Sequence, residues 1–280
     1  MKTPPSTVTV AHSPDSDDAF MFYALATNKV GLPGVKFKHV LSDIEDLNRR
    51  ALEGEFEVTA VSFHAYPFLQ DKYRLLNHGG SVGYGYGPMI VAARPMTLEE
   101  VRGKTIAIAG DRTTSNLVLR LWEPGVKTQV IAFDAIIPAI VEGKAEAGLL
   151  IHEGQLTYSS AGLHKVLDLG KWWLDETGLP LPLGGNVVRR DLPEPFAEKL
   201  SGVLKASIQY GLDHRDEALA YAHQFARDMD DRLADQFVGM YVNERTLRYG
   251  DDDKRAIGEL LGRGHAAGVI PVAPKLDFLD

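Results

Sequence analysis

A histidine at the end of a short apolar run is the residue best suited to chemistry in this sequence. The run occupies residues 145–151, follows a turn at Gly143 and Lys144, and leads directly into His152. A run of this length, bounded by turn and polar residues, predicts a buried parallel strand. Ligands of open α/β sheets bind beyond the carboxyl ends of their strands. Because imidazole titrates near neutral pH, His152 is our candidate general base; a strand-end histidine that only hydrogen-bonds a carbonyl is the alternative.

Two hydroxyl-bearing segments could complement this histidine. Thr113, Thr114 and Ser115 precede an apolar helix, whose free backbone N–H groups could bind a carboxylate. Ordinary N-capping by Thr or Ser explains the same residues equally well. Ser62 ends a predicted strand and is expected to face the same cleft.

Several common catalytic and cofactor motifs are absent from the sequence. Without cysteine, the chain forms no disulfide, thiolate metal site or cysteine nucleophile. Its histidines lack metal-binding helical spacing, so we expect no metal site. The glycine-rich residues 79–88 lack the lysine and hydroxyl residue of a phosphate loop. We expect these glycines to let two backbones pass closely.

Composition limits the partners of the chain. Its 280 residues, 45% of them hydrophobic, allow one large domain or two smaller ones. The net charge of −8, without a basic cluster, argues against nucleic acid and anionic membranes as partners. We find no export signal and no apolar run of about 18 residues that could cross a bilayer. The sequence therefore predicts a cytoplasmic protein.

The order of the predicted elements is typical of an α/β protein. The first unit has strands at 7–12, 35–41 and 58–61, separated by helices at 19–26 and 44–52. The second has strands at 105–109, 129–132 and 145–151, separated by helices at 116–121 and 135–142. Each unit is a βαβαβ pattern, which indicates a parallel sheet. Apolar spacing further predicts helices at 195–211, 216–227, 230–242 and 252–267.

Two chain crossings are expected to divide this fold into two lobes. One lies at Arg94 and Pro95, where the strand-helix pattern restarts, and the other at residues 183–188, within a segment rich in proline and glycine. The predicted first lobe comprises residues 1–94 and 189–280. The second, inserted lobe comprises residues 95–188 and carries His152. The acidic residues at 15–18 are expected to cap the first helix.

Six segments together resemble the 1,4-dihydroxy-6-naphthoate synthases of the futalosine route to menaquinone. They lie at 13–23, 43–48, 87–91, 110–114, 148–153 and 177–184. The most specific are the strand that ends in His152 and the Gly-Leu-Pro-Leu-Pro-Leu-Gly run at 178–184. The first segment reads Ser-Pro-Asp-Ser-Asp-Asp, whereas the family form is Ser-Pro-Cys-Pro-Asn-Asp. The resemblance extends over nearly the whole chain.

The resemblance implies a two-lobed α/β fold like that of type II periplasmic binding proteins, each lobe a central sheet flanked by helices, with two hinge crossings. It also implies a carbon-carbon lyase without cofactors that converts cyclic dehypoxanthine futalosine, a small-molecule carboxylate, to 1,4-dihydroxy-6-naphthoate. His152 takes the family's role of proton acceptor. The family's substrate contacts fall on Ala60, Val61, Ser62, Thr114 and Ser115. We expect a monomer or homodimer.

Three alternatives remain open at this point. A chorismate dehydratase-like enzyme of the same pathway has a similar fold. A non-catalytic solute-binding protein would share the hinged cleft, although such proteins are normally exported. A ligand sensor without chemistry is the third. Asp15, Ser16 and Asn186 remain candidate substrate contacts.

Overall fold

The computed structural model describes residues 3–226 and 230–280, which contain two β-sheets covered by helices. The strands are β1 (Thr7–His12), β2 (Lys36–Leu41), β3 (Val58–Ser62), β4 (Tyr73–Leu76), β5 (Ser81–Gly83), β6 (Met89–Ala92), β7 (Thr105–Ile108), β8 (Lys127–Val130), β9 (Ala147–Leu150), β10 (His164–Asp168), β11 (Leu181–Arg189) and β12 (Phe278–Leu279). The six strands of the two predicted βαβαβ units are confirmed to within two residues.

Helices surround both sheets. They are α1 (Ser16–Ala26), α2 (Ile44–Leu52), α3 (Tyr66–Leu69), α4 (Leu98–Arg102), α5 (Thr114–Trp122), α6 (Ile136–Val141), α7 (Gly154–Thr157), α8 (Leu169–Thr177), α9 (Glu194–Asp213), α10 (Arg215–Ala222), α11 (Asp231–Tyr241), α12 (Glu244–Leu247) and α13 (Asp251–Ala266). The helix predicted at 216–227 corresponds to α10; its last residue, Arg227, lies outside the described residues, as do residues 1 and 2 of the predicted first lobe. Within the described part of the chain, no helix has the length and apolar character needed to cross a bilayer.

The two sheets share one arrangement. The first has the order β2-β1-β3-β11-β4-β12, with β5 also paired to β11, and the second has the order β8-β7-β9-β6-β10. In the first, β1 runs parallel to β2 and β3, while β11 is antiparallel to β3 and β4. In the second, β7 runs parallel to β8 and β9, while β6 is antiparallel to β9 and β10. Each sheet is thus a parallel unit joined by one antiparallel strand that arrives from the other sheet.

The chain passes between the sheets at positions that differ from those expected. β5 belongs to the first sheet and β6 to the second, so the first passage spans residues 84–88 and precedes Arg94. The second passage, residues 178–180, precedes β11, and residues 183–188 lie inside that strand. A four-residue apolar strand such as β6 carries no local signal for the sheet it joins, because sheet membership depends on distant partners.

Glycines allow the close backbone contact expected at the first passage. A Cβ atom on Gly170 would lie 2.1 Å from the carbonyl carbon of Tyr86, and one on Gly83 would lie 2.2 Å from the Tyr86 carbonyl oxygen. Neither position has room for any side chain, because real Cβ contacts do not approach so closely. The prediction that residues 79–88 let two backbones pass closely is confirmed.

Helix α1 is the element of the first lobe that matters most for the site. Its residues from Ser16 to Leu25 are buried, including Phe20 and Met21, so it is covered on all sides and packs against α9, α10 and α11. A helix enclosed in this way needs no amphipathic pattern. Its amino end lies at the carboxyl end of β1. The acidic residues at the start of the helix, Asp15, Asp17 and Asp18, are therefore held at that edge of the sheet.

Candidate active site

Strand ends and helix starts from both lobes surround a cavity of about 100 Å³. Its polar groups, set among apolar walls, are typical of a small-molecule site. The cavity is lined by all six site residues predicted from the sequence: Ala60, Val61, Ser62, Thr114, Ser115 and His152. Three segments distant in sequence therefore converge at one place, at the sheet edge where ligands of α/β proteins bind.

His152 follows β9 and is held in an unusual backbone conformation. Its φ is +52°, a left-handed value that few residues other than glycine adopt. The imidazole Nδ1 lies 3.1 Å from Oδ2 of Asp15, and the ring meets Phe133 edge-on at 5.5 Å between centroids. Backbone strain of this kind persists where surrounding contacts enforce it, often at functional sites. The conformation sends the ring across the cleft to the start of α1.

The contact with Asp15 determines which imidazole nitrogen is available. The negative charge of Asp15 beside Nδ1 favours the proton at that nitrogen, which leaves the lone pair of the neutral ring on Nε2. Asp15 is only 4% exposed, whereas the His152 side chain keeps 22% of its surface accessible. The structure thus assigns Asp15, whose role the sequence left open, to the orientation of His152.

His152 differs electrostatically from the other buried histidines. Burial lowers its pKa, but the carboxylates of Asp15, Glu153, Asp17 and Asp18 together raise it above the usual 6.5. Burial instead lowers the pKa to about 4 in four other histidines: His12, His39, His64 and His78. Among these five histidines, His152 is the one whose pKa is raised rather than lowered.

The acidic residues at the start of α1 were expected to cap the helix, but Asp15 and Asp18 contact other groups. The Asp15 side chain makes no cap hydrogen bond, because it turns to His152 instead. Asp18 accepts the backbone N–H of Ser13 at 2.7 Å and the Ser13 hydroxyl at 2.9 Å, and burial raises its pKa to about 6. Burial and the neighbouring carboxylates raise the pKa of Asp17 well above its usual range.

Ser62 is positioned by a residue that the sequence analysis did not select. The side-chain oxygen of Asn48 in α2 accepts the Ser62 backbone N–H at 2.9 Å, and its amide nitrogen donates to the Ser62 hydroxyl at 3.1 Å. Because a backbone N–H can only donate, the orientation of the amide is fixed. The Ser62 hydroxyl accepts from Asn48 and can donate its own hydrogen into the cavity.

The start of α5 combines an N-cap with backbone N–H groups of a kind that can bind an anion. Thr113 caps the helix by accepting the backbone N–H of Asn116 at 3.3 Å. The Thr114 hydroxyl donates to the Leu183 carbonyl and accepts the backbone N–H of His64. The first-turn backbone N–H groups of Thr114 and Ser115 have no intrahelical acceptor, since none exists at that position of any helix. These N–H groups, rather than the Thr114 hydroxyl, are suited to a carboxylate.

Further hydrogen bonds join the two lobes across the cleft. Glu45 of α2 accepts the backbone N–H of Arg112 at 3.2 Å. The Tyr241 hydroxyl of α11 donates to Gln155 of α7 at 2.9 Å, and both side chains line the cavity. With the Asp15 and Thr114 contacts, these bonds bridge the lobes in a closed arrangement that opens if they break. Sequence reasoning missed Tyr241 because nothing in its helix distinguishes it from an ordinary buried tyrosine.

The acidic side chains near His152 are not arranged around a common ion. Asp15 faces the imidazole and Asp18 faces Ser13. Among residues 3–226 and 230–280, no group of three or more His, Asp or Glu side chains has the geometry to hold a metal. The arrangement places a titratable imidazole, several hydrogen-bond donors and the N–H groups of a helix start around one cavity, which would suit proton abstraction from a small anionic molecule.

Comparison with known proteins extends the resemblance noted in the sequence. Residues 8–266 match a family described as menaquinone biosynthesis. A 1,4-dihydroxy-6-naphthoate synthase from Thermus thermophilus is 40% identical over 267 residues, which cover 95% of this chain and 97% of that protein. A crystal structure from Archaeoglobus fulgidus has a TM-score of 0.91 at 44% identity and covers 95% of this chain and 99% of its own. The alkanesulfonate-binding protein of Xanthomonas axonopodis shares the fold, with a TM-score of 0.71 at 13% identity and coverage of 98% and 96%. The predicted periplasmic-binding-protein-like fold is confirmed.

Proposed function

We propose that this chain, which belongs to the menaquinone biosynthesis family, is a 1,4-dihydroxy-6-naphthoate synthase that acts on cyclic dehypoxanthine futalosine. The observation that carries the proposal is the position of His152, paired with Asp15 in a cavity that also holds an anion-binding helix start. The Thermus thermophilus relative bears that activity in its name, over nearly the full length of both chains.

The proposed reaction needs a base and a fixed substrate. The substrate carries a carboxylate, and a ketone acidifies a neighbouring C–H bond. Removal of that proton starts the loss of the sugar-derived carbons, and formation of an aromatic ring supplies the driving force. This is carbon-carbon lyase chemistry in which no electrons pass to or from a redox cofactor. The protein must therefore orient the substrate and accept a proton.

The start of α5 is suited to holding the substrate carboxylate. Two first-turn N–H groups, at Thr114 and Ser115, point along the helix axis toward the cavity, where the helix dipole favours an anion. Ser62, held by Asn48, supplies a hydroxyl donor to the same cavity. With the carboxylate fixed there, the rest of the substrate extends toward His152.

His152 accepts the proton at Nε2, and Asp15 stabilises the imidazolium that results. Although burial lowers it, the neighbouring carboxylates raise the pKa of His152, which makes the ring a stronger base. Activity should therefore rise with pH until His152 is fully neutral. Because the interlobe hydrogen bonds close the cleft, water has little access to the carbanion-like intermediate.

Incubation of the purified protein with cyclic dehypoxanthine futalosine, followed by mass spectrometry, tests the proposal. We expect the mass of 1,4-dihydroxy-6-naphthoate to appear without an added cofactor. A parallel incubation with chorismate tests the alternative enzyme, and binding without turnover of either compound would indicate a solute-binding protein or sensor. His164→Asn, at an exposed position in β10, is the matched control for His152→Asn.

A further inference from the structure

One buried acid of the cavity has no role in the mechanism described above. Asp17, in the first turn of α1, lines the cavity together with His152 and is only 6% exposed. Its Oδ1 atom is buried and has no hydrogen-bond partner among the described residues. A buried carboxylate oxygen without a partner is costly for folding, so its position in a ligand cavity calls for a functional explanation.

The groups around Asp17 favour its neutral form. Asp15 and Asp18 lie on the same helix start and repel a third negative charge. His152 faces it from the loop after β9, and the backbone N–H of Asp18 also favours ionisation, but burial outweighs both. Tyr241 of α11 also interacts with Asp17, and it is neutral because burial raises its pKa.

The three acids also differ in their partners. Asp15 has the imidazole of His152 at 3.1 Å, and Asp18 has two donors from Ser13. Each of these two side chains therefore has a polar partner within hydrogen-bond distance. Asp17 has no comparable cation or pair of donors, so it is the acid of this group that retains a proton most readily.

We propose that Asp17 is a catalytic residue that stays un-ionised and donates a hydrogen bond from its carboxyl O–H to the ketone oxygen of the substrate. This inference rests on the proposed function. When His152 removes the proton, the C–H bond breaks and its electron pair forms a C=C bond. The carbonyl π electrons then move onto the ketone oxygen, and Asp17 stabilises that negative charge without transferring its own proton. A preorganised donor of this kind is worth roughly 10²–10³ in rate.

Infrared difference spectroscopy tests the protonation of Asp17 without any turnover. We expect wild-type protein at pH 7.5 to show the C=O stretching band of a protonated carboxylic acid, and we expect Asp17→Asn to lack it. Asp46→Asn, which alters an ion-paired acid of α2, is the control and should keep the band. A spectrum in which Asp17→Asn removes no such band would overturn the proposal.

Two variants of Asp17, one isosteric and one truncated, test the hydrogen bond to the substrate. The amide of Asp17→Asn is a neutral donor and should retain at least about a tenth of wild-type kcat, whereas Asp17→Ala should lose roughly 10²–10³-fold. Wild-type activity should fall at alkaline pH as Asp17 ionises, and Asp17→Asn should lack that decline. If Asp17→Asn is as inactive as Asp17→Ala while remaining folded by circular dichroism, Asp17 acts as a carboxylate and the proposal is wrong.

The two proposals fail in different ways. If wild-type protein converts no cyclic dehypoxanthine futalosine, the proposed function is wrong, while the infrared band still reports whether Asp17 is protonated. If turnover is normal but the band is absent, only the role of Asp17 is wrong. A shift of the band when 1,4-dihydroxy-6-naphthoate binds would show directly that Asp17 donates to the ligand, and an unchanged band would contradict that contact.

Discussion

The contact between Asp15 and His152 gives the sharpest quantitative prediction, through the variant Asp15→Asn. The atoms are 3.1 Å apart, and Asp15 is almost fully buried. At an effective dielectric constant near 20, unit charges at about 4 Å interact by roughly 4 kcal/mol, which corresponds to about 3 pKa units. The carboxylates of Glu153, Asp17 and Asp18 remain in the variant and retain part of this effect. We therefore expect the pKa of His152 to fall, by less than the full interaction with Asp15 would give.

Two other buried histidines show the direction in which the pKa of His152 should move in the variant. Buried histidines without a carboxylate partner at this distance, such as His64 and His78, have pKa values of about 4. His152 should move toward them when the charge of Asp15 is removed. The amide can also donate to Nδ1, which places the proton on Nε2 and removes the base. We expect kcat to fall by about 10²-fold, near the lower end of what a positioned base contributes.

Two measurements check this prediction. NMR titration of the imidazole, assigned with His152→Asn, gives the pKa directly, and the acid limb of the pH profile of kcat/KM should shift to lower pH in parallel. Asp134→Asn is the matched control, because Asp134 is exposed and lies near His152 without contacting it. An unchanged pKa of His152 in Asp15→Asn would refute the electrostatic reasoning.

The remaining predictions concern the base, the anion site, stability and closure. His152→Asn should lose about 10²–10⁴ in turnover while still binding product in calorimetry; more than about a tenth of wild-type kcat would exclude His152 as the base. Thr114→Ala should weaken product binding by about 1 kcal/mol, whereas Thr114→Pro, which removes a backbone donor, should nearly abolish it in the same titrations. Because the pKa of His152 is raised, the stability that wild type gains over Asp15→Asn should be fully present below about pH 6.5 and decline as pH rises through the folded-state pKa; urea unfolding that shows a constant difference would contradict this. Small-angle scattering should give a smaller radius of gyration with 1,4-dihydroxy-6-naphthoate than without, and equal radii would mean that the site is permanently closed.

Local patterns in the sequence were sufficient for the parallel units but not for the way they connect. The apolar run before His152 and the strand at 58–61 were predicted because each is bounded by turn or polar residues. The sheet that β6 joins was not predictable, because its four apolar residues would pack equally well in either sheet. The strand at His164–Asp168 was missed for a related reason: its mixed polar sequence does not alternate cleanly.

The residues of the candidate site also fall into two groups, those that the sequence predicted and those that only the structure reveals. His152, Ser62 and the start of α5 stand at strand or helix ends, where sequence position alone suggests a cleft. Asn48 and Tyr241 lie within helices and reach the cavity only through the packing of whole elements. The sequence offered one signal for Asn48, a buried amide on the otherwise apolar face of α2. Asp15 was expected to cap α1, and its partner is 137 residues away in the chain.

A crystal structure of His152→Asn with bound cyclic dehypoxanthine futalosine would test the central claim most directly. We predict that the substrate carboxylate accepts the backbone N–H groups of Thr114 and Ser115, and that the acidic carbon lies beside the side chain at position 152. The ketone oxygen should lie within hydrogen-bond distance of Asp17. A substrate bound with its carboxylate elsewhere, or with no acidic C–H facing position 152, would contradict the assignment of this cavity as the site of proton abstraction.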